Sequence, residues 1–434
     1  MSHTRAARAR ARRRAPSPGK LSFWQRLGPG LVTGAADDDP SGIATYAQAG
    51  AQFGFRLGWT LLLTYPLMVA IQGICARIGR TTGLGIAGNL RKYYPGWILQ
   101  AIVGLLFTAN VLNIGADLGA MAQSLRLLVP VPVWLGVVSF GTITAAGQLV
   151  LKHTRYVAAL KWLTLSLFAY FGTLATVQIP WGEFLRGLVW PDISFGRDFW
   201  LTVVAIFGTT ISPYLFFWQA GQEVEDTKAQ PSQQPLLLKP RQAESALSRI
   251  RVDTLVGMGL SNLVALAILV TSAVTLHARA LAAIETAAQA AAALKPVAGT
   301  KAFILFALGI IGTGLLSVPV LAGSAAYALG EARGWPVGLS RAPSRAKAFY
   351  ASIAFATLLG ALGNLLQVNS IQALLWAAVL NGIVAGPVMV MVMLIGTRTD
   401  IMGRFSISRR LRLTGWAATA VMGAASVVLL CSSI

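Results

Sequence analysis

The sequence predicts an all-α integral membrane protein, a bundle of about eleven transmembrane helices, and three observations carry that prediction. Of the 434 residues 55% are hydrophobic and only 12% charged, with a mean hydropathy of +0.63; soluble globular domains carry about twice that share of charge. Apolar stretches long enough to cross a ~30 Å hydrocarbon layer recur along the whole chain. Between them the basic residues alternate in density from one connection to the next.

Spans are expected near 27–52, 55–76, 99–129, 131–150, 156–178, 198–220, 252–276, 301–331, 348–363, 368–396 and 413–432. The tail and every second connection hold 29 of the 36 Lys and Arg. That asymmetry places the N-terminus in the cytoplasm and the C-terminus outside, in a multi-pass protein of the cell membrane. The net charge of +21 would suggest nucleic acid in a soluble chain, but here it is divided among the tail and five loops with no single basic face, so no nucleic-acid partner is expected. Residues 1–26 form a basic tail with Arg8, Arg10, Arg12, Arg13 and Arg14, no acids, and Pro16 and Pro18. Such a segment buries too little apolar surface to fold and is expected to be disordered against anionic lipid; an organellar transit peptide shares that composition. Cys75 and Cys431 show no metal-binding or disulfide spacing.

Two connections are long. Residues 221–251, rich in Pro and Gln, read as a polar cytoplasmic linker between five-helix halves, and the Ala-rich stretch 279–294 with Glu285 as an external amphipathic helix on the bilayer. Gly83-Leu84-Gly85-Ile86-Ala87-Gly88 matches a dinucleotide fingerprint. It follows a membrane helix rather than a strand, and reads instead as a flexible turn.

Ionisable groups inside membrane spans are costly and mark sites or pathways. Here they are Asp37, Asp38, Asp39 and Asp117. In the first span the acids run directly into Pro40-Ser41-Gly42; proline removes an N–H and clashes with the preceding turn, so the helix breaks there and frees backbone carbonyls. The sixth span carries Thr209-Thr210-Ile211-Ser212-Pro213-Tyr214, with Pro213 in the matching place. Each break opens a five-helix unit, 27–178 and 198–396, with 413–432 as an extra helix, and paired breaks of this kind point to a carrier's midplane site. Plain proline kinks are the alternative. The groups offered are a carboxylate, the hydroxyls of Ser212, Thr209 and Thr210, and main-chain oxygens, a set suited to Mg²⁺, Ca²⁺ or Mn²⁺.

At these residues the sequence resembles the NRAMP family of divalent-metal transporters. The likeness runs from Gly28-Pro29-Gly30-Leu31 through Asp39-Pro40-Ser41-Gly42, Ala49-Gly50-Ala51-Gln52-Phe53-Gly54, Ala76-Arg77-Ile78-Gly79 and Thr82-Gly83 to Ala116-Asp117-Leu118 and Ser212-Pro213-Tyr214. The resemblance implies a LeuT-like fold of two inverted five-helix repeats plus one helix. It also implies departures: Gly42 stands where the family has a metal-binding Asn, Ser212 where it has a Met thioether, Tyr214 where it has a His, and Ala120 where it has a Glu. Loss of the soft ligand and of two proton-route groups resembles the branch of NRAMP-related magnesium transporters.

The expected activity is uptake of Mg²⁺ or Mn²⁺ by alternating access, probing no enzyme chemistry and needing no cofactor, since the metal is cargo. The expected metal set is Asp39, Ser212, main-chain oxygens at Ala36 and Thr209, and the space at Gly42. Tyr214, Asp117, Asp38, Asn381 and Gln48 are candidates beside the ion or on its pathway, the last two reading more readily as interhelical hydrogen-bond formers. Glu223, Glu225 and Asp226 read as a solvated helix end rather than an exit station. Rivals are a proton-coupled Mn²⁺/Fe²⁺ symporter, a carrier of amine or cationic organic substrates on the same fold, and a non-transporting metal receptor. An intramembrane hydrolase is disfavoured, because His3, His153 and His277 form no nucleophile–base pair or HExxH. The partners expected are the ion and the lipid bilayer, and a monomer suffices.

Overall fold

A computed structural model describes residues 28–150, 168–279, 284, 286–294, 299–364 and 369–432. The basic tail 1–26, residues 156–167 of the fifth expected span, and Glu285 lie outside the described residues. Every regular element within them is helical. α1 (Pro29–Asp37) and α2 (Pro40–Phe53) make the first crossing, then α3 (Gly58–Thr82), a short α4 (Ile86–Tyr93) and α5 (Gly96–Arg126). α6 (Val133–Val150), α7 (Phe168–Thr176) and α8 (Trp181–Val189) follow. The second half runs α9 (Arg197–Thr210), α10 (Pro213–Ala229), α11 (Ala243–Thr275), α12 (Ala287–Ala291), α13 (Ala302–Arg333), α14 (Lys347–Gly363), α15 (Ser370–Thr397), α16 (Thr399–Met402) and α17 (Arg409–Ser432). Among the described residues eight helices, with α9 and α10 counted as one, are long and apolar enough to cross a membrane, and α14 is a shorter apolar helix. Leu62, Leu105, Val138, Ile143 and Leu263 are exposed on the outside of the bundle, where lipid replaces water as solvent.

Both expected breaks are present. α1 ends at Asp37, and Asp39 becomes the N-cap of α2, its side chain accepting the Gly42 N–H, with Pro40 at the first helical position. Asp-Pro therefore both ends one helix and starts the next: Asp is a strong N-cap, and Pro at N1 loses no hydrogen bond there. In the sixth span α9 ends at Thr210 and α10 starts at Pro213 with Ser212 before it, but no side chain caps α10.

Close backbone approach docks these halves onto their neighbours. A methyl group at Gly34 of α1 would sit 2.2 Å from the Gly257 carbonyl oxygen of α11, and one at Gly208 of α9 would sit 2.0 Å from the Ala378 oxygen of α15. Only glycine permits either contact, and small residues at such crossings let van der Waals packing hold membrane helices together. The first turn of α1 is also gripped by charge: Gly28 and Gly30 N–H groups donate to the Asp253 carboxylate of α11 at 2.8 and 2.7 Å, an acid placed where a helix N-terminus favours it. Thr33 donates to Gln219 of α10.

At the same end of the bundle the structure corrects three expectations. α10 continues to Ala229 and α11 begins at Ala243, so the polar linker shrinks to residues 230–242, and it joins two crossings of one half rather than the two halves. Glu223 and Glu225 are consequently buried, not a solvated helix end: Glu223 pairs with Arg249, and Glu225 accepts from Leu339 N (2.6 Å), Ser340 N (3.0 Å) and the Tyr327 hydroxyl. Asp226 is only partly buried. The glycine-rich turn is not flexible either. Gly83 closes α3 in a left-handed conformation, and Gly85 and Gly88 N–H groups at the start of α4 both hold the Glu331 carboxylate at 2.9 Å, so the fingerprint does cradle an anion, an internal one.

At the opposite end the Ala-rich stretch does not lie on a bilayer. It forms α12 and a following 3₁₀ turn (Ala292–Leu294), with Ala287, Ala290, Ala291, Ala293 and Leu294 buried against α13 and neighbouring helices. An alanine-rich helix has little polar face to keep in water, and small side chains allow close packing instead.

Candidate cation site at the helix breaks

The two breaks meet in the middle of the bundle. The Tyr214 hydroxyl donates to the Ala36 carbonyl across them at 2.9 Å. A methyl at Gly42 would lie 3.0 Å from Thr209 Oγ1 and 3.4 Å from Asp39 Oδ1, so the two Pro-breaks are in contact at that glycine. Asp39 is 2% exposed and Ser212 1%. The Ser212 hydroxyl donates back to the Gly208 and Thr209 carbonyls at 2.7 and 2.9 Å, leaving its lone pairs free, and each carbonyl so engaged keeps a second lone pair. Ser324 Oγ of α13 donates to the Tyr214 carbonyl at 2.8 Å and fixes the start of α10.

Around this junction Asp39 is joined to α5. Its Oδ2 accepts from Asn113 Nδ2 at 3.0 Å. One turn further along α5, Asp117 Oδ2 accepts from Ser317 Oγ of α13 at 2.9 Å. On the other side, Asp37 and Asp38 share the Ser261 hydroxyl of α11 at 2.7 and 3.1 Å. Asn113, Ser317 and Ser261 were missed in the sequence reading. The signal for Asn113 was available: Asn110, Asn113 and Asp117 recur at helical spacing and form a polar stripe inside an apolar span.

Not every candidate arrives at the site. Gln48 points away from it: its carbonyl oxygen accepts from Ile284 N at 2.8 Å, and its amide nitrogen faces Gln52. Two turns of α2 carry it beyond Asp39, to the end where α12 packs. The Thr210 hydroxyl turns back onto the Ile206 carbonyl of its own helix at 2.8 Å, as Thr commonly does in membrane helices. Asn381 of α15 is buried at 1% exposure, beside Gly382, which lies against Gly208. It makes no interhelical hydrogen bond: neither of its amide atoms has a partner among the described residues.

Two properties stand out in the electrostatics. Four buried acids, Asp37, Asp38, Asp39 and Asp117, lie at or beside the breaks, and the ion pairs among the described residues are Arg56–Asp192, Glu223–Arg249 and Arg398–Asp400, all elsewhere. Buried charge without a partner is strongly unfavourable, so these acids call for a cation, either a metal ion or a proton. Several buried oxygens also lack hydrogen-bond partners among the described residues: Asp37 Oδ1, Asn113 Oδ1 and Asp117 Oδ1. Such orphans are rare in folded proteins and call for an ion or water. Among the described residues no group of three or more His, Cys, Asp and Glu side chains converges.

Two broken helices meeting at a buried, uncompensated acidic centre define a membrane carrier for small cations. The chain belongs to the Nramp family: the family described as natural resistance-associated macrophage protein-like matches residues 30–432. It is 26% identical over 408 residues to a protein of Burkholderia ambifaria named divalent metal cation transporter MntH, covering 91% of this chain and 86% of that one. Its fold is that of the Eremococcus coleocola manganese transporter, with a TM-score of 0.72 at 17% identity over 95% of this chain and 88% of the other. It also matches Mhp1, a nucleobase-cation-symport-1 family transporter, with a TM-score of 0.56 at 13% identity and 95% coverage of both chains. The all-helical LeuT-like architecture expected from the sequence is thus the one the chain adopts.

Proposed function

We propose that this Nramp-family divalent metal cation transporter imports hard ions, Mg²⁺ and/or Mn²⁺, by alternating access across the cell membrane, without strong proton coupling. It is a carrier and not an enzyme, and the metal is its substrate. The observation that carries the choice of ion is the donor set: a carboxylate, hydroxyls, amides and main-chain carbonyls surround the junction, and a serine hydroxyl occupies the position that the resemblance gives to a thioether. Oxygen donors suit hard cations, and a site with few carboxylates suits an ion that keeps part of its water.

In this reading Asp39 supplies the charge, Ser212 Oγ and the carbonyls of Ala36 and Thr209 supply neutral oxygens, and the side-chain-free space at Gly42 admits retained water. Tyr214, Asp38, Asp117 and Asn381 lie around that shell; Gln48 takes no part. The end of the bundle where α1 begins faces the cytoplasm, as the basic loops favour. The Asp253 and Gln219 contacts then hold α1 closed on the cytoplasmic side and release it when the ion leaves. An inward-negative potential contributes about 2.3 kcal/mol per charge per 100 mV, roughly double for a divalent ion, enough to drive uptake without protons.

Two outcomes test this. Ser212→Met should shift the uptake preference of proteoliposomes from Mg²⁺ toward Mn²⁺ or Cd²⁺ by about tenfold, the worth of one softer ligand of ~1.4 kcal/mol; an unaltered Mg²⁺/Mn²⁺ ratio counts against the ligand role of residue 212. Metal uptake by the wild type should leave an internal pH dye unchanged. Robust metal-driven acidification would instead establish the proton-coupled symporter.

A further inference from the structure

Asp39 can offer a cation only one of its two oxygens. Oδ1 accepts from both Gly42 N and Ser41 Oγ at 2.7 Å, which uses both of its lone pairs and pins the carboxylate as the α2 cap. Oδ2 accepts a single hydrogen bond, from Asn113 Nδ2 at 3.0 Å. An ion held by Asp39 must therefore meet Oδ2, on the side facing α5, where Asn113 is its immediate neighbour. Asn113 is fully buried, and its amide oxygen has no partner among the described residues, although an amide oxygen buried without a partner is costly. On the other side of the carboxylate, Gly42 presents no side chain at all.

From this geometry we infer that Asn113 belongs to the ion's coordination shell and supplies an amide oxygen to it from α5. The assignment rests on the metal-transport reading above and deepens it. Asn113 Nδ2 orients Asp39 Oδ2, and Asn113 Oδ1 contributes a neutral hard donor beside it, so the ion bridges α2, α5 and the α9–α10 break. A ligand on α5 also links occupancy of the site to Asp117, one turn along the same helix face, and through Ser317 to α13.

The test is calorimetric titration of Mg²⁺ and Mn²⁺ into purified full-length protein in nanodiscs. Asn113→Ala should weaken Mg²⁺ binding by about tenfold or more, the scale on which metal-site amides and their supports act. The conservative pair Asn113→Asp and Asn113→Leu gives a second reading: the aspartate variant should bind at least as tightly as wild type, with binding lost at a higher pH as two adjacent carboxylates compete for protons, and the leucine variant should lose binding. Wild-type affinity in Asn113→Ala, or equal affinities for the aspartate and leucine variants in a folded protein, would overturn the assignment. Asp39→Asn in the same series separates the two levels. If it binds like wild type the metal site itself is misplaced; if it loses binding while Asn113→Ala does not, only the role of Asn113 falls.

Discussion

Asp39→Ala is expected to reduce divalent-cation affinity by about 100-fold or more, which corresponds to ~3 kcal/mol lost with the charge that the site is built around. Two effects are mixed in that variant. Alanine also removes the α2 cap formed with Gly42 N, worth about 1 kcal/mol of helix stability. Asp39→Asn separates them, because Asn caps a helix start as well as Asp does but carries no charge. Titration calorimetry on both variants should show equal losses of affinity, with a lower unfolding temperature for the alanine variant alone. Affinity retained in Asp39→Asn would show that the carboxylate's charge does not hold the ion.

Gly34→Val is expected to abolish transport while leaving the metal site able to bind. Its side chain would start 2.2 Å from the Gly257 carbonyl oxygen, a backbone atom that cannot move aside, so α1 can no longer dock on α11. Overpacking of this kind costs about 1–3 kcal/mol, enough to shift a two-state closure by roughly ten- to a hundredfold. Residue 34 lies two residues before Ala36, but its clash is with Gly257 of α11 and not with the break, so binding should change less than uptake. Labelling can follow the closure directly. In a background with the exposed Cys431 replaced by serine, a cysteine at Thr33, which is fully buried against Gln219, should react slowly with an otherwise wild-type chain and at least tenfold faster with Gly34→Val. Normal uptake in the variant, or no gain in reactivity, would show that α1 docking is not part of the cycle.

The parts of this architecture that were legible in the sequence are those set by local chemistry. Pro40 and Pro213 each follow a residue of capping type, Asp39 and Ser212, and the helix breaks there, whereas Pro66, Pro319 and Pro387 lie inside continuous helices. Both breaks could thus be placed to within a residue or two, and Asp39 recognised as the acid at the first of them. The errors came where a side chain's direction, or a helix's length, depends on its neighbours. Gln48 lies on the helix that Asp39 caps, but the hydrogen bond from Ile284 N decides where its amide points. Glu223 and Glu225 read as a solvated end because polar residues in a row usually lie outside a membrane. Here α10 continues through them, Arg249 pairs with Glu223, and Tyr327 and the backbone of residues 339 and 340 hold Glu225. Glu331 and the fingerprint glycines lie some 240 positions apart in the chain, and no local pattern joins them. Asn113 differs from all of these: its spacing from Asp117 was readable, but the pairing with Asp39 only emerges when α5 is laid against the broken helix.

Uptake into proteoliposomes under an inward-negative potential, with wild type and Asp39→Asn reconstituted in parallel and Mg²⁺ and Mn²⁺ each offered outside, tests the central claim most directly. A hard-cation carrier built on Asp39 should accumulate both ions in the wild type, more of each as the potential is made more negative, and neither above protein-free vesicles in the variant. Equal accumulation by wild type and Asp39→Asn, or no accumulation of either ion by the wild type, would contradict it.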